Sequence, residues 1–196
     1  LIVFNEIMYN PVEPGAAFVE LLNISPDFSV DVSGWEVRGI DYTFPPGSIL
    51  TNGQHLVLAE NRSAYLKAYG TDTPTPFGEY DGRLQLDGET LTLILPSAEG
   101  EPEIEGGKVR YEHGAPWPVA ADGTGSSMQL IDPAQDNSRA SNWADGAGWG
   151  TFTQTAGVWS FATSFRLALA SAGEIYLDNL ELVQGDTPGV GPNLIP

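Results

Sequence analysis

The sequence predicts an all-β fold, and three observations point there. Its first forty residues hold three apolar runs (1–9, 18–24 and 35–37) cut by Asn10-Pro11, Ser25-Pro26 and Asp31-Val32-Ser33-Gly34. The runs are rich in branched and aromatic residues, and this length and punctuation mark β-strands. The 23 Gly and 15 Pro fall between short apolar stretches along the chain, which is how turns separate strands. Only one stretch, 62–69, reads as a helix: Asn61 stands at its N-cap and Gly70 stops it.

Taken in order, the three opening runs carry apolar residues at both alternating positions. They are therefore expected inside a sheet and covered on both faces. Tyr42-Thr43-Phe44 is a short strand ended by Pro45-Pro46-Gly47. Residues 48–50 and 54–59 flank Asn52-Gly53, a dipeptide suited to tight hairpins. Residues 71–80, rich in Thr and Pro, read as a loop. Residues 83–86 and 90–95 flank Asp87-Gly88-Glu89 and suggest a second hairpin, with Leu91, Leu93 and Leu95 on one face. In 108–112, Val109 and Tyr111 share a face, and in 126–131 Met128 and Leu130 point inward. A Gly- and Ala-rich joint occupies 144–150. Two more strands, 164–170 and 174–183, follow, and 185–196 reads as a mobile tail.

Composition narrows the function classes. With 26 acidic and 8 basic residues the net charge is −18, which repels phosphate backbones and argues against nucleic-acid binding. Such a surface favours solubility and attracts cations. The chain has no Cys, which excludes thiolate metal sites, disulfides and cysteine nucleophiles. No run approaches the roughly 20 apolar residues of a membrane-spanning helix. The chain opens inside a strand and stops at Asn193-Leu194-Ile195-Pro196, as a piece of a longer protein would.

The order of the short motifs resembles a known family. Asn5-Glu6-Ile7-Met8-Tyr9-Asn10-Pro11, Phe18-Val19-Glu20-Leu21 with Asn23, Asp31-Val32-Ser33-Gly34-Trp35, Tyr42-Thr43-Phe44-Pro45-Pro46-Gly47 and Leu56-Val57-Leu58-Ala59 are similar to a bacterial lamin-tail domain. Gly88-Glu89-Thr90-Leu91, Pro116-Trp117-Pro118, the stretch from Ala121 to Met128, Asp132-Pro133, Asp136-Asn137 and Asn142-Trp143 look like its second half. The resemblance covers 1–143 and implies an immunoglobulin-like β-sandwich without catalytic residues. It also implies a module of secreted or surface proteins, found beside carbohydrate-active, nuclease or adhesion modules. Further on, Gly173-Glu174-Ile175-Tyr176-Leu177-Asp178-Asn179-Leu180-Glu181-Leu182-Val183 resembles the closing strand of a jelly-roll carbohydrate-binding module. A whole jelly roll needs about eight strands. Residues 151–184 are thus a truncated module or a hairpin extension of the sandwich. Their unpaired edges are expected to dock on the sandwich or to form an edge-strand dimer through 164–183.

Candidate chemistry is sparse. Glu6 and Glu20 sit inside apolar strands. Brought together they would resemble the acid pair of a glycosidase, and one would hold its proton more tightly. The plainer alternative is a structural polar set with Asn5 and Asn23. His55 and His113 stand in no nucleophile motif. Asp132, Asp136 and Asn137, with Asp-Gly turns at 81–82, 87–88 and 122–123, offer oxygen ligands to calcium. The same residues are ordinary turn formers. Of the five Trp, Trp35 and Trp143 read as core. Trp117 and Trp149, with Asp122, are the candidates for contact with a polysaccharide or protein.

The expectation is therefore a non-catalytic, extracellular or cell-surface interaction or spacer module. It requires no cofactor, with calcium as the candidate ion. Carbohydrate binding is the alternative, and a carboxylate-dependent hydrolase the second alternative.

Overall fold

The computed structural model describes residues 1–71 and 73–145. Its elements are β1 (Ile2–Met8), β2 (Phe18–Asn23), β3 (Val30–Asp31), β4 (Glu36–Arg38), β5 (Tyr42–Thr43), β6 (Ile49–Leu50), β7 (His55–Ala59), α1 (Arg62–Tyr69), β8 (Gly78–Glu79), β9 (Glu89–Leu95), β10 (Ile104–Tyr111), β11 (Met128–Leu130) and β12 (Trp143–Asp145). One sheet has six strands in the order β12-β11-β1-β2-β7-β8, and the other has four, β10-β9-β4-β5. A small ribbon, β3-β6, stands apart. Phe4, Val19, Leu21, Leu56 and Leu58 of the six-stranded sheet share one buried cluster with Val37, Leu91, Leu93, Val109 and Tyr111 of the four-stranded sheet. The two sheets therefore face each other through their apolar sides, as a sandwich.

Register explains how β1 serves both faces. Between Phe4 and Glu6 the pairing with β2 slips by one residue, leaving Asn5 as the extra residue of a bulge. Strict alternation would put Phe4 and Ile7 on opposite faces. The bulge lets both enter the core, while Glu6 and Met8 point outward. The outer side of the six-stranded sheet is then ordered in rows. Gln129, Glu6, Glu20 and Val57 are successive cross-strand partners, and so are Met8, Phe18 and Ala59.

Helix α1 covers the apolar row. Asn61 caps it by accepting the Ala64 N–H at 2.9 Å, and Glu79 accepts the Arg62 N–H at 2.8 Å. At its other end the Gly70 N–H closes on the Leu66 carbonyl, with Gly70 at φ 87°. Tyr65 and Tyr69 meet the Phe18 ring edge-on, each with centroids 5.3 Å apart. Met8, Val57 and Ala59 complete this second cluster.

Several expectations change. β1 and β2 are interior strands of their sheet, but β4 is wet on one side: Val37 is buried while Glu36 and Arg38 are exposed. Arg38 spends that exposure on a two-pronged contact with Glu103, at 2.7 and 2.5 Å. Asn52-Gly53 makes a turn but no hairpin. β6 before it pairs with β3, and β7 after it pairs with β2 and β8. Asp87-Gly88 likewise precedes β9 without a strand on its other side. Gly88, at φ +101°, is needed there because a Cβ would stand 2.5 Å from the Tyr111 carbonyl oxygen. The loop 71–80 contains β8, which pairs in parallel with β7. Of the joint expected over 144–150, Ala144 and Asp145 instead continue β12 against β11. Its remainder from 146, the strands 164–170 and 174–183, their proposed dimer edge, the tail and Trp149 lie outside the described residues.

Candidate functional site

The outer row of the six-stranded sheet is where polar side chains interrupt apolar strands. Glu6 and Glu20 are directly opposed on β1 and β2, a position that brings Cβ atoms within about 5.5 Å. Their carboxylates are satisfied differently. Glu20 Oε1 accepts from Asn5 Nδ2 at 2.8 Å and meets His55 Nδ1 at 2.7 Å. Glu6 Oε1 accepts from the Ser127 hydroxyl and from Gln129 Nε2 at 3.3 Å. Burial pushes the Glu6 carboxyl above the usual carboxylate range. The Ser127 and Gln129 hydrogen bonds act against that rise, and nearby Glu20 adds to it.

Beside Glu6 the surface opens into a hollow of about 300 Å³. Its walls are Met8 and Phe18 from the sheet, Tyr69 from α1, and Ser127 and Gln129 from β11 and the turn before it. The Tyr69 hydroxyl donates to the Ala16 carbonyl at 3.2 Å, which fixes the ring as a wall. Nothing local in the sequence marks this site. Ser127 and Gln129 lie 121 and 123 positions from Glu6, and only the β1–β11 register joins them.

The other candidate residues are spread out. Asn23 is fully buried at the end of β2. Its Nδ2 reaches the carbonyls of Phe28, Leu50 and Thr51, and its Oδ1 accepts the Ser25 N–H. Asn23 is thus a hub tying β2 to the β3-β6 ribbon, away from the Glu6 row. Trp117, expected as a ligand contact, is only 8% exposed and packs against Trp143 with centroids 6.0 Å apart. Asp122 accepts from Asn10 Nδ2 at 2.7 Å and pins the loop after β1.

Asp132 accepts from the Ala134 N–H and Gln135 Nε2, and Asp136 accepts from the Ser138 N–H. These donors hold both carboxyls below the usual range. The Asn137 carbonyl accepts from the Trp143 indole at 2.8 Å. Among the described residues no group of three or more His, Cys, Asp or Glu is placed to hold a metal ion. His113 Nδ1 lies 3.2 Å from the Asp87 carbonyl, far in sequence and fold from the Glu6 row. No helix among the described residues is long and apolar enough to cross a membrane.

The lamin tail domain family matches residues 1–115. The chain belongs to that family. The open, facing sheets with one short helix are its immunoglobulin-like sandwich. The motifs from Pro116 to Trp143 lie beyond the matched span, yet β11 and β12 carry the six-stranded sheet on through them. No curated protein and no solved structure matches the chain. A lamin tail domain of this fold is a protein-interaction module, and the fold is generally non-catalytic.

Proposed function

We propose that the chain is a non-catalytic interaction or spacer module of a larger, multidomain bacterial protein, acting outside the cell or at its surface. The observation that carries this reading is the state of the two carboxylates. An acid pair that cleaves a bond must present both groups to a substrate. Here Asn5 and His55 engage Glu20 within the sheet, and Glu20 does not line the hollow beside Glu6, so Glu6 has no second acid to work with there. What remains beside this row is a surface with a shallow hollow at Glu6. The net charge of −18 and the absence of Cys support a soluble module working by contact.

A second reading, carbohydrate binding, draws on the hollow alone. Tyr69 offers ring surface, and Glu6, Ser127 and Gln129 offer hydrogen-bonding groups, a combination that suits a sugar. Trp117, which packs in the core, adds nothing to it.

The test of the main reading has two arms. Protease treatment of intact cells producing the full-length protein is expected to remove this module; survival of the module until lysis would overturn the placement. Incubation of the purified chain with polysaccharide and phosphodiester panels is expected to release no product. Turnover abolished by Glu20→Gln would overturn the non-catalytic assignment.

A further inference from the structure

The charge arrangement around the hollow is uneven. Arg38, Lys67, Arg83, Lys108, Arg110 and Arg139 each pair with an acid elsewhere on the surface. Among the described residues no Lys or Arg reaches Glu6, whose hydrogen-bond donors are a hydroxyl and an amide. Glu20 differs, since an imidazole touches it. Glu6 is therefore a partly desolvated carboxylate with no Lys or Arg at it, at the side of a hollow, and His55, bonded to Glu20, acts on it only at longer range. The half-buried Tyr69 ring and the buried Phe18 ring also line it.

A carboxylate in the same hollow as an accessible aromatic ring is an arrangement that favours an organic cation. The carboxylate supplies charge, the ring faces supply a cation–π attraction, and partial removal from water strengthens both. The volume, about 300 Å³, lies at the small end of ligand sites. It suits one side chain better than a run of sugar rings. The alkyl stem of a Lys or Arg would lie along the half-buried Tyr69 ring, as such stems do on apolar surface. The chain's overall charge would draw a basic partner towards this surface.

We propose that the hollow between β1, β11 and α1 receives a single Lys or Arg side chain of a protein partner, with Glu6 as its counter-charge and Tyr69 as its ring wall. The proposal rests on the interaction-module reading and names the chemistry of the partner's anchor.

The experiment uses the full chain and three blocked tripeptides, acetyl-Gly-X-Gly-amide with X as Lys, Arg or Gln, in about 150 mM salt to screen non-specific attraction. Amide chemical shifts report binding. The Lys and Arg peptides are expected to shift Ser126, Ser127 and Gln129 saturably, and the Gln peptide is expected to leave them in place. Glu6→Gln is expected to weaken binding about tenfold or more. Glu101→Gln removes the same charge from an exposed turn and is expected to change nothing. Tyr69→Leu keeps an apolar residue on α1, and its weakened binding would serve if Glu6→Gln proved misfolded.

Equal binding of the Gln peptide, an equal loss in Glu101→Gln, undiminished binding in both hollow variants, or shifts of the same amides by glucose or galactose would each overturn the proposal. Turnover of a glycan, or an intracellular location, would sink the module reading and leave these shifts untouched, so the two failures are separable.

Discussion

The two faces of the six-stranded sheet are built from the same strands but do different work. On the inner face Phe4, Val19, Leu21, Leu56 and Leu58 are each at most 4% exposed and meet a second sheet. On the outer face one row, Met8-Phe18-Ala59, is closed by α1, and the neighbouring row, Gln129-Glu6-Glu20, is polar. Two sheets facing one another leave little freedom in what the inner row contains. A single eight-residue helix cannot cover a whole sheet, so the outer face is released from that demand beyond its end. The proposed hollow lies at the border where the covering helix stops.

The comparison can be broken by substituting rings on each face. Phe4→Ala opens a void in the closed core and is expected to cost about 3–5 kcal/mol, read from the urea midpoint. Phe18→Ala is expected to cost less, about 2–3 kcal/mol, because α1 can settle onto the sheet and reduce the cavity. Hydrogen exchange should then accelerate in 62–69 and leave the β9 and β10 amides protected. Equal losses for Phe4→Ala and Phe18→Ala, with exchange rising everywhere, would mean that the faces form one cooperative unit. Asn23→Ala tests a third region, the hub at the sheet's end. It strands the Phe28, Leu50 and Thr51 carbonyls and the Ser25 N–H, and about 2 kcal/mol should be lost. A loss no larger than that of Asn52→Ala, whose exposed side chain reaches only the Pro26 carbonyl, would show that Asn23 merely fills space.

The inner face was legible in the sequence because its information is local. Apolar residues crowd 1–9 and 18–24 as interior strands require, and Asn61 and Gly70 announce both ends of α1. Turn dipeptides were legible only as turns. Asn52-Gly53 and Asp87-Gly88 bend the chain as their residue types demand, but the partner of each flanking strand is fixed by distant pairings. Trp117 shows the same limit: flanking prolines suggest an exposed loop, and the Trp143 ring it packs against is remote in sequence. Glu6 and Glu20 stood out as carboxylates in apolar strands. Ser127, Gln129 and Tyr69 carried no such mark, since nothing is unusual about them until a bulge and a register place them around Glu6.

The smallest expected effect is a pH dependence that sharpens the contrast between the two acids of the polar row. Burial raises the Glu6 carboxyl above its ordinary value of 4.5. Folding therefore favours its protonated form. The stability this contributes is fully present below the unfolded carboxylate range and is lost as pH rises through the higher folded value. Glu6→Gln keeps an acceptor for the Ser127 hydroxyl and removes the ionisation. Its stability relative to the native chain should thus be flat in acid, rise in the variant's favour between the unfolded and the higher folded value, and level off above it. Glu20 and His55 face Glu6 across the strands, and the Tyr65 and Tyr69 phenols lie towards it from α1. The phenols stay neutral throughout this window because burial raises both, Tyr69 to about 12. Urea midpoints of both proteins between about pH 4 and 8 would read the difference. A difference that favours the native chain as pH rises would show that the Glu6 charge is welcome in the folded state. It would then already have a counter-charge, and the hollow would have no call for one from a partner.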